Sequence, residues 1–442
     1  MLMAEWRNTS FWLDDVSPMP VVSDSIKSEV DVLVIGSGYT GLQAALQIAR
    51  AGRDVLVVDS GDLGHGCSTR NGGQISTSVK PSHDKLAQKF GSKRATNIRR
   101  EGEFGLEWIE AFVSEENIDC DFSRCGRFHA AHSPEHYEFL ARDAEIVKKS
   151  ENIPSFMVPK KDQFSELGTE LYHGGVVFPR HASLHPAKYH HALLSIVLRA
   201  GVTLVGHCEA KLINKTTEGF EVSTAKGIIK CKDVVVATNG YTSSLTPWFK
   251  RRIIPIGSYM IATDEIEPKL MQKLFPTKRI VSDTCKVVYY YRPSPDHKRV
   301  LFGGRVSAKE TDPSISGPKL HKDLTRIFPD LKDAKITHSW LGTVAYTFDE
   351  LAHTGCYNGI YYAMGYCGSG VSMASYLGMR LGQKVLGMPE GKTALDDLPF
   401  PTRPLYQGNP WFLPAVVAWY RWRDQQQIIK AQRLQVRKSF VA

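Results

Sequence analysis

A β-branched run that passes directly into Gly-x-Gly-x-x-Gly limits the fold of this chain more than any other feature. Val30 to Ile35 reads Val-Asp-Val-Leu-Val-Ile, the length and composition of a strand buried on both faces of a parallel sheet. Gly36, Gly38 and Gly41 follow, and Leu42, Ala45, Leu46 and Ala49 then recur on one helical stripe that stops at Gly52. In such a unit the first glycine permits a tight turn, the second lets a pyrophosphate reach the backbone, and the third lets helix and strand pack closely. The helix N-terminus adds unpaired N–H groups and the positive end of a dipole. A second strand, Asp54 to Val58, ends at Asp59. That is close to the roughly 20-residue distance at which an acid accepts hydrogen bonds from ribose hydroxyls and disfavours a 2′-phosphate. The expectation is a dinucleotide held by Gly36, Gly38, Tyr39, Thr40, Gly41, Asp59 and Ser60.

The segment after Asp59 departs from a nicotinamide dehydrogenase, which would continue in alternating strands and helices. Gly64 to Gln74 reads Gly-His-Gly-Cys-Ser-Thr-Arg-Asn-Gly-Gly-Gln, a run of small residues able to pass beside an extended ligand. Two later islands repeat the theme. Val202 to Val205, the alternating stretches around Ala210 to Ile213 and Phe220 to Val222, and Val234 to Gly240 predict a β-meander, a buried parallel strand and a second glycine turn. Ile360, Tyr361 and Tyr362 predict a strand, followed by Gly365, Gly368 and Gly370 and a helical stripe of Val371, Ala374, Leu377, Leu381 and Val385.

These motifs resemble the glycine oxidase and D-amino-acid oxidase superfamily of FAD-dependent oxidoreductases. Gly66 to Gln74 is most similar to the gamma-glutamylputrescine oxidase branch, where the segment has the form Gly-x-Ser-x-Arg-Asn-Gly-Gly-Gln. Trp340-Leu341-Gly342, Asp349 and Gly355 match a further family pattern, so the resemblance covers nearly the whole chain. It implies an α/β fold: a Rossmann-like FAD-binding domain of the glutathione-reductase type, with a discontinuous α+β substrate domain. It further implies FAD contacts at Gly66, Cys67, Ser68, Arg70, Asn71, Gly72, Gly73 and Gln74, at Ala210, Thr238, Asn239 and Gly240, and at Gly365, Gly368, Ser369, Gly370 and Val371. The last helix would aim its N-terminus at the flavin's pyrimidine end and stabilise the negative charge of the reduced ring. Family members often carry Ser-Gly-His-Gly-Val there. This chain has Cys367-Gly368-Ser369-Gly370-Val371, so any role of that histidine is absent or supplied elsewhere. Arg70 and Asn71 stand where covalent members place a flavin-linking histidine, so dissociable FAD is expected, with His65 and Cys367 as alternative attachment points.

The expected FAD-binding domain takes residues 28–89, 184–249 and 341–398; the substrate domain takes 90–183 and 250–340; residues 399–442 form a tail packing on the FAD domain. Phe104, Leu106, Trp108, Ile109 and Phe112 read as a core stripe. His129, His132 and His136 with Glu135 are irregularly spaced for a metal, so solvated or capping roles are expected and no metal is. Lys286 to Arg305 predicts a hairpin whose alternation separates Tyr289 and Tyr291 from Tyr290 and Arg292. Tyr290 and Arg292 are the expected cavity pair, an aromatic wall and a carboxylate clamp. His65, Tyr259 and Trp340 complete the candidate catalytic set.

Composition decides the remaining classes. At 442 residues, 42% hydrophobic and 23% charged, the chain is globular and neither coiled coil, collagen-like nor low-complexity. Its net charge of +9 is modest over this length and comes without a clustered basic stripe, so nucleic acid is not an expected partner. The 8 scattered cysteines predict reduced thiols in a cytoplasmic protein. The first thirty residues lack a signal-peptide pattern, and the best apolar stretch, Trp411 to Tyr420, is too short to span a bilayer and contains Pro414. The reaction the resemblance implies takes a hydride equivalent from the carbon beside an amine nitrogen. The resulting imine hydrolyses to an aldehyde or keto acid. O2 is the acceptor, or alternatively a quinone or carrier protein. The substrate is a polyamine derivative, an N-methylated amine or an amino acid, and the oligomeric state stays open.

Overall fold

The computed structural model describes residues 6–16, 23–151, 153–305 and 311–439. Two large sheets organise them. In the first, the strands run in the order His353–Tyr357, Ile360–Met364, Gly227–Val236, Glu29–Ile35, Val55–Val58 and Thr203–Val205, with Phe220–Thr224 and Ala210–Lys215 continuing antiparallel from Gly227–Val236. Glu29–Ile35 is parallel to both neighbours, with Val32 opposite Val55 and Val34 opposite Val235. Its apolar run Val32–Ile35 follows from burial on both faces. Val32 and Val34 pack toward the helices Tyr39–Arg50 and Gly370–Val385, whereas Leu33 and Ile35 join Leu56, Phe220 and Phe249 on the other side.

Helix Ser92–Glu115 belongs to this half, which corrects the boundary expected at residue 90. Its Ile98, Leu106, Ile109 and Phe112 share one core with Gly370–Val385, because two helices alone leave the sheet face incompletely covered. Phe104, expected in the stripe, is instead 38% exposed beside Arg100.

The second sheet orders Ile336–Tyr346, Ile254–Thr263, Val300–Gly304, Tyr290–Pro293, Ile280–Asp283, Arg127–Ala130, Gly175–Phe178 and Phe156–Val158. It draws strands from both expected substrate segments. Ile336–Tyr346 pairs with Ile254–Thr263 along its length, so this half runs past the expected limit at 340. One face carries Phe128, Tyr259, Ile261, Tyr291 and Phe302 into a core with Leu320 and Leu324 of helix Pro313–Ile327. The other face presents the laterally paired row His129, Ser282, Tyr290, Gly303, Met260 and Trp340.

The tail divides. Residues 399–412 cross the first half, where Phe400 stacks on His353 at 4.0 Å and Tyr406 Oη donates to the Ile253 carbonyl. Helix Leu413–Ser439 then leaves it for the second sheet, a correction to the expected packing on the FAD domain. The Asp424 carboxylate accepts the N–H groups of Lys286 and Val287, each at 3.1 Å, while Leu413 and Val417 pack on Val287. Residues 440–442 lie outside the described residues.

Candidate active site

A cavity of roughly 1550 Å³ lies between the two sheets. That exceeds the roughly 300–1,000 Å³ of a single small-molecule site and leaves room for an extended dinucleotide and a second molecule. The glycine loop forms one end. Gly36 has φ +108°, and a Cβ there would stand 2.9 Å from the Ala237 carbonyl oxygen. At Gly41 a Cβ would lie 1.9 Å from the Gly36 carbonyl oxygen, so helix and strand meet with no room for a side chain. At Gly38 a Cβ would meet only Ser68 Oγ, at 3.0 Å, and would otherwise project into the cavity. An opening that only an absent methyl keeps free, beside the N-terminus of Tyr39–Arg50, is the cradle a pyrophosphate needs.

Asp59 borders the same end. Its carboxylate accepts from Ser37 N at 2.8 Å, from Ser37 Oγ at 2.6 Å and from Gly61 N at 3.2 Å, and His65 Nδ1 stands 3.3 Å away. Burial opposes its charge, but the hydrogen bonds from His65 and Ser37 outweigh burial and hold its pKa below the usual value. His65 is correspondingly raised, chiefly by that contact. The structure therefore places His65, one of the candidate catalytic residues, beside the expected ribose acid at the first sheet.

Every expected cofactor contact lines the cavity except Gly41, Gly73, Gly240 and Gly365. These four act from behind the wall: a Cβ at Gly240 would meet the Thr343 carbonyl oxygen at 2.6 Å, and Gly365 N donates to Asn239 Oδ1 at 2.9 Å. Ser369, Gly370 and Val371 bring the N-terminus of the second glycine-island helix to the wall. Cys367 precedes it, its thiol pushed up to about 11 by burial and directed at the Gly365 carbonyl.

Three expected substrate contacts prove to be supports. Trp340 Nε1 donates to the Arg70 carbonyl and Trp12 Nε1 to the Asn71 carbonyl, each at 2.8 Å. Arg292 Nη1 donates to the carbonyls of Gly73 at 3.3 Å and Leu184 at 3.0 Å. Trp340 and Arg292 lie on the side of the second sheet turned toward the cavity, as alternation requires, but the Arg70–Gly73 segment runs between them and the cavity. They grip its backbone, and neither lines the cavity. Tyr259 is on the opposite face, buried in the core, where its hydroxyl accepts from Thr311 N at 2.7 Å.

Tyr290 alone of the substrate-half candidates reaches the cavity. A Cβ at Gly72 or at Gly303 would meet its ring at 3.0 or 2.3 Å, so two glycines make the slot in which the ring lies. Its hydroxyl bonds Ser258 Oγ at 2.8 Å, and burial raises its pKa, so the phenol stays protonated.

The neighbouring wall is one that the sequence reading missed. Arg127 and His129 project from one face of Arg127–Ala130, two strands from Tyr290. Arg127 Nε donates to Ser282 Oγ at 2.8 Å with Nη2 on the same oxygen, and His129 Nδ1 stands 2.8 Å from that oxygen. The same His129 Nδ1 stands 3.3 Å from the Ser282 carbonyl oxygen, so Ser282 holds both side chains in place. Burial, and then the charge of Arg127, hold His129 far below the usual histidine range, so it is neutral. Burial brings Arg127 down to about 10, and it remains a cation. Its hydrogen bonds go to Ser282, and among the described residues no carboxylate pairs with it. The signal was present in Arg-Phe-His-Ala, where the apolar partners Phe128 and Ala130 fix the opposite face as core. Of the other histidines, His132 Nε2 bonds Gln427 Oε1 at 3.0 Å and its ring lies tilted against that of His136, centroids 4.1 Å apart. Phe412, Leu413, Val416, Val417 and Tyr420 roof the cavity.

The profile of the family described as FAD dependent oxidoreductase (DAO) matches residues 31–384. A probable oxidoreductase OrdL of Rhizobium meliloti is 31% identical over 92% of this chain and 94% of that protein. Gamma-glutamylputrescine oxidoreductase of Escherichia coli is 29% identical over 87% of this chain and 89% of that protein. Glycine oxidase from Geobacillus kaustophilus superposes with a TM-score of 0.70 at 18% identity, covering 86% of this chain and 99% of that one. L-Proline dehydrogenase from P. horikoshii gives 0.68 at 21%, covering 88% and 98%. These structures share the expected architecture, a Rossmann-like FAD-binding domain joined to a second α+β region.

Proposed function

The chain belongs to the DAO family of FAD-dependent oxidoreductases, and from that premise we propose that it oxidises an amine that also carries a carboxylate. FAD held by the glycine loop, Asp59 and the Gly66–Gln74 segment would supply the two-electron acceptor for the C–H bond beside the amine nitrogen. The chain's own residues bind and orient. The observation that carries the reading is Arg127, a deep guanidinium facing the cavity that pairs with no carboxylate among the described residues. A substrate carboxylate supplies the missing partner, and charge-assisted hydrogen bonds to Arg127 fix which end of the molecule reaches the flavin.

The same cation assists the chemistry. An ammonium with a pKa of about 10 must lose a proton before it reacts, at a cost of roughly 4 kcal/mol at neutral pH. A positive neighbour and dehydrated walls disfavour the ammonium and reduce that cost. Tyr290, protonated and tied to Ser258, shapes the wall and takes no proton. The imine product hydrolyses to an aldehyde or keto acid, and O2 receives the electrons. FAD stays non-covalent in this reading, since the Cys367 thiol is protonated and His65 is engaged by Asp59. The free thiols of all eight cysteines suit a cytoplasmic protein.

Steady-state kinetics with paired substrates test it. Replacing Arg127 with Met is expected to raise KM for a carboxylate-bearing amine about ten- to hundredfold, the worth of a charged hydrogen bond, with a much smaller change for the matching simple amine. Wild type that prefers the simple amine, with Arg127→Met equal to it on both, contradicts the assignment.

A further inference from the structure

We propose that helix Leu413–Ser439 docks the protein on an anionic lipid surface. The helix is apolar on two sides. Its inner side, with Leu413, Val417 and the anchoring Asp424, is spent on the second sheet. Its outer side carries Ala415, Ala418, Trp419 and Trp422 at helical spacing, all exposed. Trp419 is 51% and Trp422 60% exposed, and Trp411, just ahead of the helix, is 68% exposed. Two exposed indoles on one helical stripe, with a third just ahead of the helix, are the kind of apolar surface that marks a binding site.

Charge selects the occupant. The helix sequence holds six basic residues, Arg421, Arg423, Lys430, Arg433, Arg437 and Lys438, against a single acid, Asp424. Asp424 is buried and committed to backbone N–H groups, so it offsets nothing outside. Lys430 is offset by Glu135, whereas Arg423, over the Trp419 ring, and Arg421, donating to the Arg305 carbonyl, pair with no carboxylate among the described residues and keep their charge beside the indoles. Indoles flanked by arginines, on a helix that does not span, match the headgroup boundary of a bilayer with anionic lipid. A second copy of this chain would bring the same cations together, and the repulsion disfavours it.

Docking would lay the roof of the cavity against the bilayer, because the inner side of the same helix lines it. The test is co-sedimentation of the full-length flavin-loaded protein with vesicles of phosphatidylglycerol and phosphatidylcholine, and with vesicles of phosphatidylcholine alone. The expected result is binding to the anionic vesicles that weakens as salt rises, weak binding to the neutral ones, and a loss of about tenfold or more in Trp419→Ser/Trp422→Ser. Flavin content and amine turnover of that variant in vesicle-free solution are expected to match wild type, which separates lost docking from lost folding. Wild type that stays in solution with anionic vesicles at low salt overturns the proposal. So does a concentration-dependent dimer, broken by the same substitutions, in a protein that ignores vesicles.

Discussion

Among the described residues Asp283 pairs with no cation. It accepts from Tyr172 Oη at 3.3 Å and from Tyr289 N at 3.1 Å, yet burial outweighs these bonds and raises its pKa to about 7. In the unfolded chain the same group titrates near 3.9. Between those values the folded state holds a proton that the unfolded state has released, so the group's contribution to stability declines as pH rises through that window. Asp283→Asn removes the decline while keeping an acceptor for the N–H groups. Urea midpoints measured from about pH 4 to about pH 8 are expected to shift in favour of the variant as pH rises, and parallel curves would contradict the account. Arg292 makes the complementary case. Arg292→Met removes the donor to the buried Leu184 carbonyl and one of the two donors to the Gly73 carbonyl, which keeps the Leu184 N–H, and this is expected to cost about 1–3 kcal/mol and to loosen flavin retention. A variant that keeps its flavin and loses only substrate affinity would restore Arg292 as a clamp. Alternation in Lys286–Arg305 put Tyr290 and Arg292 on the correct face, but whether a loop lies between a side chain and a cavity depends on residues more than 200 positions away, which local patterning does not carry.

Strand, glycine loop and helix were legible because each constraint acts within a few residues. The structure separates the glycines by what surrounds them. Gly41→Ala drives a methyl into the Gly36 carbonyl, so the expected result is a protein that folds poorly. Gly38→Ala meets only Ser68 Oγ, so the expected result is a folded protein with a near-normal thermal transition as apoprotein and FAD affinity reduced by about tenfold or more. Equilibrium dialysis against FAD with thermal melts distinguishes the two, and equal FAD affinity of Gly38→Ala and wild type would remove Gly38 from the cradle. Of helix Ser92–Glu115 only the stripe Phe104–Phe112 was legible, and it was placed with the second half rather than the first. Its apolar stripe says that one face is buried, and nothing in the stripe says against which sheet.

At the scale of the molecule, two sheets assembled from interleaved segments close around one cavity, and the chain's end forms its roof. The interleaving was visible because the glycine islands recur far apart in sequence. The destination of the tail was not, since Asp424 finds the N–H groups of Lys286 and Val287 only after the second sheet has formed. The proposed oxidation of a carboxylated amine rests on two parts of the cavity, the glycine-loop cradle at one end and the Arg127 guanidinium on its wall. Anaerobic mixing of the purified flavin-loaded protein with carboxylate-bearing amines and amino acids, followed by the yellow absorbance of the flavin, tests this most directly. The account predicts bleaching by that class and recovery of the colour when O2 is readmitted. Bound flavin that no amine bleaches would contradict it.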